Sequence, residues 1–133
     1  MSLLLDTDTC IDVLRNKTAV VKRMRQRSPG ECHVSVITEF ELFQGAARAP
    51  EDRRDIERAK VARFLSQITI LPFDRPCARR AAAVNAALLN RGTPVGILDV
   101  LIGATALEMN WLLVTSNLAD FRRIDGLVIE SWR

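Results

Sequence analysis

Five short apolar runs divide this chain, and each pair is separated by enough residues to form a helix. Leu3 to Leu5, His33 to Ile37, Ile68 to Leu71, Trp111 to Thr115 and Leu127 to Ile129 are rich in Leu, Val and Ile. Each is too short for a stable helix and suits a buried strand. Buried strands alternating with helices form a parallel sheet with helices on both faces. The expected fold is therefore α/β, one domain over residues 1–133 with a central, mainly parallel sheet of four to five strands flanked by helices. In such sheets ligands bind beyond the carboxyl ends of the strands.

The intervening segments carry helix signals. Thr9-Cys10-Ile11-Asp12 has the form of a capping box and predicts a helix to about Gln26. Thr38-Glu39-Phe40-Glu41 repeats that form, with the helix ending near Gly45 or Arg48. Pro50-Glu51-Asp52 opens an amphipathic helix to about Ser66, with Ile56, Val61, Phe64 and Leu65 as its apolar face. Arg75 or Pro76 starts an Ala-rich helix to Asn90, and a further helix runs from about Leu98 to Met109. Ser116 to Asp120 reads as a loop or single turn.

Composition narrows the function. Cys10, Cys32 and Cys77 are odd in number and widely spaced, without a zinc-ligand pattern, and read as reduced thiols. His33 is the only histidine, which excludes any mechanism needing two and leaves a structural role as its expectation. No apolar run approaches the length of a membrane span and no signal peptide is evident, so a cytoplasmic location is the default. The net charge is +3, and the basic residues are 16 Arg and 3 Lys. Arg15 to Arg27 and Arg75 to Arg91 are basic without an acid, while acids gather at the predicted strand ends. Basic flanks around an acidic centre suit a nucleic-acid backbone held against a metal site.

Asp99 lies in Gly96-Ile97-Leu98-Asp99-Val100-Leu101-Ile102-Gly103-Ala104-Thr105-Ala106, the most apolar stretch of the chain. A charge there is costly unless it is compensated, although a helix N-cap would also account for the residue. Small residues at Gly103 and Ala106 leave room beside it for a metal, a water or a backbone. Asp6 follows Leu3 to Leu5, and Glu41 follows the second apolar run. Asn117 and Asp120 follow the fourth. Carboxylates from several strand ends form a set of hard oxygen donors suited to Mg²⁺ or Mn²⁺. Such a metal supports phosphodiester hydrolysis without a Ser, His or Cys nucleophile. Asp8 and Asp12 are expected to serve the turn and the helix start.

Four blocks together resemble the motifs of PIN domains, and within them the VapC toxins of bacterial toxin–antitoxin pairs. They are Leu4-Leu5-Asp6-Thr7-Asp8, the run from Val34 to Ala46, the run from Pro94 to Ala106, and Leu113 to Phe121. The resemblance covers the whole chain in order and spacing. It implies a metal-dependent ribonuclease acting on structured RNA such as tRNA or ribosomal RNA. Asp6, Glu41 and Asp99 match the acidic metal positions. The fourth acid of many PIN domains falls at Asn117, so Asp120, three residues later, is expected to complete the catalytic set. Thr115, Asn117 and Asp8 then position the site or the substrate, Asp8 standing where the family often has Asn. The resemblance also implies a small VapB-like antitoxin that blocks the site, and a homodimer.

Two other readings use the same residues. Leu5-Asp6-Thr7-Asp8-Thr9 is similar to the start of haloacid-dehalogenase-type phosphatases, but these need a late Lys and none follows Lys60. A PIN-like domain that binds RNA or a partner without cleaving it is the main alternative.

Overall fold

The computed structural model describes residues 1–133. Its elements in chain order are β1 (Leu3–Leu5), α1 (Thr7–Leu14), α2 (Thr18–Arg25), β2 (Cys32–Ser35), α3 (Val36–Ala47), α4 (Arg54–Ser66) and β3 (Thr69–Leu71). They continue with α5 (Arg75–Asn90), α6 (Ile97–Met109), β4 (Leu112–Val114), α7 (Leu118–Phe121) and β5 (Ile129–Glu130). The five strands are all parallel, in the order β3-β2-β1-β4-β5. No helix is long and apolar enough to cross a membrane.

The central strand shows why the first apolar run must be buried on both faces. Leu3 and Leu5 join one core with Cys10 of α1, Val20 of α2, Leu42 and Ala46 of α3, and Val61, Phe64 and Leu65 of α4. Leu4 points the other way, into a second core with Ala81 and Leu88 of α5 and Val100, Ile102, Ala104 and Ala106 of α6. The two-residue period of a strand thus divides the triplet between two helical layers. The chain leaves β1 toward β2 on one side and takes up β4 on the other, so the crevice between β1 and β4 is where the strand order reverses.

Local helix signals were reassigned by tertiary partners. The predicted helix from Thr9 to Gln26 is two helices, broken where Asn16 takes a left-handed conformation with φ 58°. Its cap is not Thr9 but Asp6, which accepts from Thr7 N. Asp12 does not serve the helix start. Its side chain is buried in an ion pair with Arg133. The predicted capping box at Thr38 is likewise absent: Ser35 caps α3 by accepting from Thr38 N at 3.2 Å, which releases Glu41 for another partner. Gly96, not Asp99, precedes the first turn of α6. On α4, Val61, Phe64 and Leu65 are buried but Ile56 is exposed, because the helix begins only at Arg54 and its first turns stand clear of the core.

The space beside Gly103 is filled by packing, not by a ligand. A Cβ at that position would lie 2.8 Å from Ile124 Cδ1, 3.5 Å from Phe121 and 3.6 Å from Leu127. Gly103 therefore lets α6 seat closely against the segment that follows α7. Phe121, which closes α7 directly after Asp120, is part of this packing, so α6 and the turn that carries Asn117 and Asp120 lie against each other.

Candidate active site

Every acid singled out at a strand end reaches the carboxyl edge of the sheet around the β1–β4 crevice. Asp6 follows β1 directly, and its backbone N–H donates to Val114 O at 2.8 Å, continuing the ladder with β4 one residue beyond the end of β1. Asp6 is buried. Its Oδ2 accepts from Thr115 Oγ1 at 2.7 Å, and its Oδ1 accepts from Thr7 N at 2.8 Å. Thr115, also buried, accepts from Asn117 N at 3.0 Å. One hydroxyl therefore fixes both the first acid and the start of the loop after β4.

Asn117 completes the link to α6. Its Nδ2 donates to Asp99 Oδ2 at 3.3 Å and to Asp120 Oδ2 at 3.1 Å. The neutral residue that stands where an acid was expected thus bridges two carboxylates that would otherwise repel. Asp8, from the first turn of α1, faces the same loop. It accepts from Ser116 N at 3.1 Å, from Ser116 Oγ and, at 3.5 Å, from Thr115 Oγ1. Asp8 is held by the loop as a tie between α1 and β4.

Glu41 arrives from α3. Its Oε1 accepts from Thr7 Oγ1 at 2.7 Å, and Thr7 Oγ1 lies 3.0 Å from Thr38 Oγ1. Thr7 and Ser116 were not legible as site residues, because a single hydroxyl next to an acid reads as turn chemistry. The signal available was position only: each lies two residues beyond a strand end.

The electrostatics are uneven. Asp6, Asp8, Glu41 and Asp99 have no salt-bridge partner, and Asp120 has only Arg123 Nη1 at 3.7 Å. Burial, Asp8 and, more weakly, Asp99 push the Asp6 carboxyl up to about 7, against the hydrogen bonds from Thr115 and Thr7. Burial likewise raises Asp99 above the usual carboxylate range, joined by the charges of Glu41, Asp120 and Asp8, while Asn117 opposes the shift. These are the marks of a carboxylate cluster with a charge deficit.

The donor set is all oxygen and anionic, which suits a hard divalent cation. No three of the acidic, histidine or cysteine side chains stand close enough to share one ion in this arrangement. Like charges hold the carboxylates apart, and Asn117, Thr115 and Thr7 bridge the gaps.

The basic segments do not line this pocket as a group. Arg23 and Arg27 pair with Glu130, Arg80 with Glu108 and Arg91 with Asp125. Arg123 does reach it, donating also to Pro94 O at 3.0 Å. His33 lies away from the acids, stacked on Trp111 with ring centroids 4.2 Å apart, and the three cysteines are buried free thiols.

Thr115→Val keeps the shape of the side chain but removes the donor to Asp6. It is expected to raise the Asp6 carboxyl further, read by NMR titration, and to lower any metal-dependent activity by about ten- to a hundredfold. An unchanged Asp6 titration would show that this hydrogen bond is not what holds the carboxylate.

The PIN domain model matches residues 3–127. The chain is 33% identical over 132 residues to a tRNA(fMet)-specific endonuclease VapC of Salmonella typhimurium, covering 99% of this chain and 98% of the relative. It is 31% identical over 132 residues, with the same coverage, to a ribonuclease VapC2 of Haemophilus influenzae. Among solved structures it superposes on DNA-bound VapBC from Salmonella typhimurium with a TM-score of 0.93 at 33% identity, covering 100% of this chain and 99% of that one. VapBC2 from Rickettsia felis, bound to a promoter DNA fragment, gives 0.92 at 25% identity, with 100% of each chain covered.

Proposed function

The chain belongs to the PIN domain family, and on that premise we propose that it is a metal-dependent endoribonuclease, the toxin of a toxin–antitoxin pair. The observation that carries the reading is the set of four carboxylates without a cationic partner at the sheet's switch point, two of them holding their protons abnormally tightly. Structured RNA, tRNA or ribosomal RNA, is the proposed substrate, in keeping with the relative that acts on tRNA(fMet). A VapB-like antitoxin is the proposed partner, in keeping with the VapBC complexes that share the fold. A homodimer is proposed on the exposed apolar side chains Val36, Phe40 and Ile97, which lie on the first turns of the helices carrying Glu41 and Asp99. One domain spanning residues 1–133 and a cytoplasmic location complete the proposal.

Asp6, Asp99 and Glu41 would hold Mg²⁺ or Mn²⁺. When bound, such a cation supplies positive charge at the phosphate and makes water more acidic. The chain's own groups do the rest. Thr7 holds Glu41 by Oε1, which leaves Oε2 to orient the attacking water and accept its proton. Asn117 links Asp99 to Asp120, which keeps Asp120 beside the metal-holding acids as the fourth member of the set. Thr115 and Asp8 keep the loop after β4 in register with β1. The water oxygen bonds to phosphorus and gives its proton to Glu41 as the P–O3′ bond breaks, and the departing 3′ oxygen takes a proton from solvent.

The products identify the route. Cleavage through water leaves a 5′-phosphate and a 3′-hydroxyl, while attack by the RNA's own 2′-hydroxyl leaves a cyclic phosphate. Purified protein incubated with tRNA and Mg²⁺ or Mn²⁺ is expected to give 5′-phosphate ends, detectable by ligation without prior kinase treatment. Cyclic-phosphate ends would overturn the assignment, and no cleavage of any structured RNA would favour a binding domain.

A further inference from the structure

Asp12 lies one helical turn beyond Asp8 on the same face of α1. Its side chain is 2% exposed, yet two cations converge on it. Arg133 donates from Nε to Oδ2 at 2.8 Å and from Nη2 to Oδ1 at 3.0 Å. Lys17 Nζ lies 3.2 Å from Oδ1. The side chains of Arg133 and Lys17 are 50% and 48% exposed, so a buried carboxylate presents two cationic side chains to water.

The arrangement is built out from the sheet edge that carries the acids. The chain leaves β5 at the same sheet edge as β1 and β4 and crosses to α1. Trp132 is buried and donates from Nε1 to Glu130 Oε2 at 3.1 Å, while Glu130 is paired with Arg23. Arg133 is therefore clamped at Asp12 and anchored immediately before itself. Asp12 holds its guanidinium protonated, and the charge of Asp8 adds to the effect.

A pocket of unpaired carboxylates repels a polyanion, so the strand must be held by cations beside it. Several arginines of the basic segments have acidic partners elsewhere; Arg133 has a buried one that aims it. Two of its five N–H donors are used on Asp12, which leaves three for another oxyanion in the same plane. Anchoring the tail needs only the Arg fork; Lys17 adds charge that anchoring does not require.

We propose that Arg133, with Lys17 beside it, contacts the RNA phosphate backbone on the α1 flank of the acidic pocket, and that Asp12 positions both cations. The proposal rests on the ribonuclease reading above. A guanidinium already fixed in place loses little freedom when a phosphate binds, which favours Arg133 over a mobile surface arginine.

The test measures binding of tRNA across a range of KCl concentrations in the slow-cleaving Asp99→Asn background, together with KM in the otherwise unaltered enzyme. Arg133→Gln is expected to weaken binding severalfold and raise KM with kcat little changed. It should make the log–log salt dependence shallower by about 0.7 to 0.9 for the lost phosphate contact. Arg133→Lys should restore the slope but not the full affinity, because it keeps the charge and loses the fork. If Arg133→Gln folds and leaves slope and KM unchanged, the residue only staples the tail and the proposal is overturned. If Arg133→Gln does not fold, Arg133→Lys decides, and wild-type affinity in that variant overturns the proposal. Failure of the unaltered protein to cleave RNA removes the ribonuclease reading and this contact together; cleavage with an unchanged Arg133→Gln removes the contact alone.

Discussion

Asp99→Asn is expected to slow RNA cleavage by about a hundred- to a thousandfold, with Asp6→Asn reducing it as much, and neither should unfold the protein. Loss of an anionic donor to a hydrolytic metal removes several kcal/mol of transition-state charge stabilisation, and each factor of ten is about 1.4 kcal/mol. The Asn side chain keeps the size of Asp, and its amide oxygen can still accept from Asn117 at position 99 or from Thr115 at position 6. Chelation by EDTA should reduce the unaltered protein to the same residual rate, and excess Mn²⁺ should restore it. Gel-resolved cleavage of tRNA by the three proteins, with circular dichroism to show that each is folded, makes the measurement. Cleavage by Asp99→Asn at the unaltered rate would remove the acids from the reaction.

The second large effect is on stability and has the opposite sign for the same residue. The folded chain holds the Asp6 proton up to about pH 7, against 3.8 for an ordinary aspartate. Folding therefore takes up a proton between these values, so stability falls as pH rises through that window and levels off above it. The metal-free protein is expected to lose a few kcal/mol between pH 4 and pH 7, roughly 10 °C in Tm. Asp12 acts in the other direction. Hydrogen bonds from Arg133 and Lys17 hold its carboxyl below the ordinary value, and that contribution is lost only as the medium becomes more acidic than about pH 4. The two windows do not overlap, so Asp6→Asn should flatten the decline above pH 4 and leave the acid limb in place. Mg²⁺ should also flatten it in the unaltered protein, because bound cation compensates the ionised carboxylate. A metal-free Tm that stays level from pH 4 to pH 7 would show that Asp6 carries no such penalty.

The two predictions together separate function from folding. A residue retained only for the fold would lower activity and stability together when replaced. Asp6→Asn is expected to lower activity and raise the stability of the metal-free protein at neutral pH, the trade expected where a site holds uncompensated charge for use.

Much of this edge of the molecule was legible along the chain. Leu3 to Leu5 announces a strand buried on both faces because no residue of the triplet can meet water without loss, and the two cores on either side of it bear this out. Asp6, Glu41 and Asp120 were legible because each follows an apolar run, and parallel strands bring such ends to one edge; Asp99 was legible because it stands charged inside the most apolar stretch. The capping boxes were not legible in their true use. Thr-x-x-Glu can be satisfied within one helix, but Glu41 instead accepts from Thr7, 34 residues away. Local hydrogen-bonding patterns are degenerate, and the sheet decides which partner is nearer.

Length and spacing determined, by themselves, an α/β sheet with acids beyond its strand ends, since a buried strand and an amphipathic helix each impose a period on the residues. The tertiary structure alone decided which hydroxyl holds which acid. Thr115 meets Asp6 across 109 residues because β4 pairs in parallel with β1, and Asp12 meets Arg133 across 121 because β5 ends at the same edge. Neither pairing has a period or a neighbour in the chain to announce it. Strand register and the path of the tail put the partners in reach, and burial raises the cost of leaving a polar group without one.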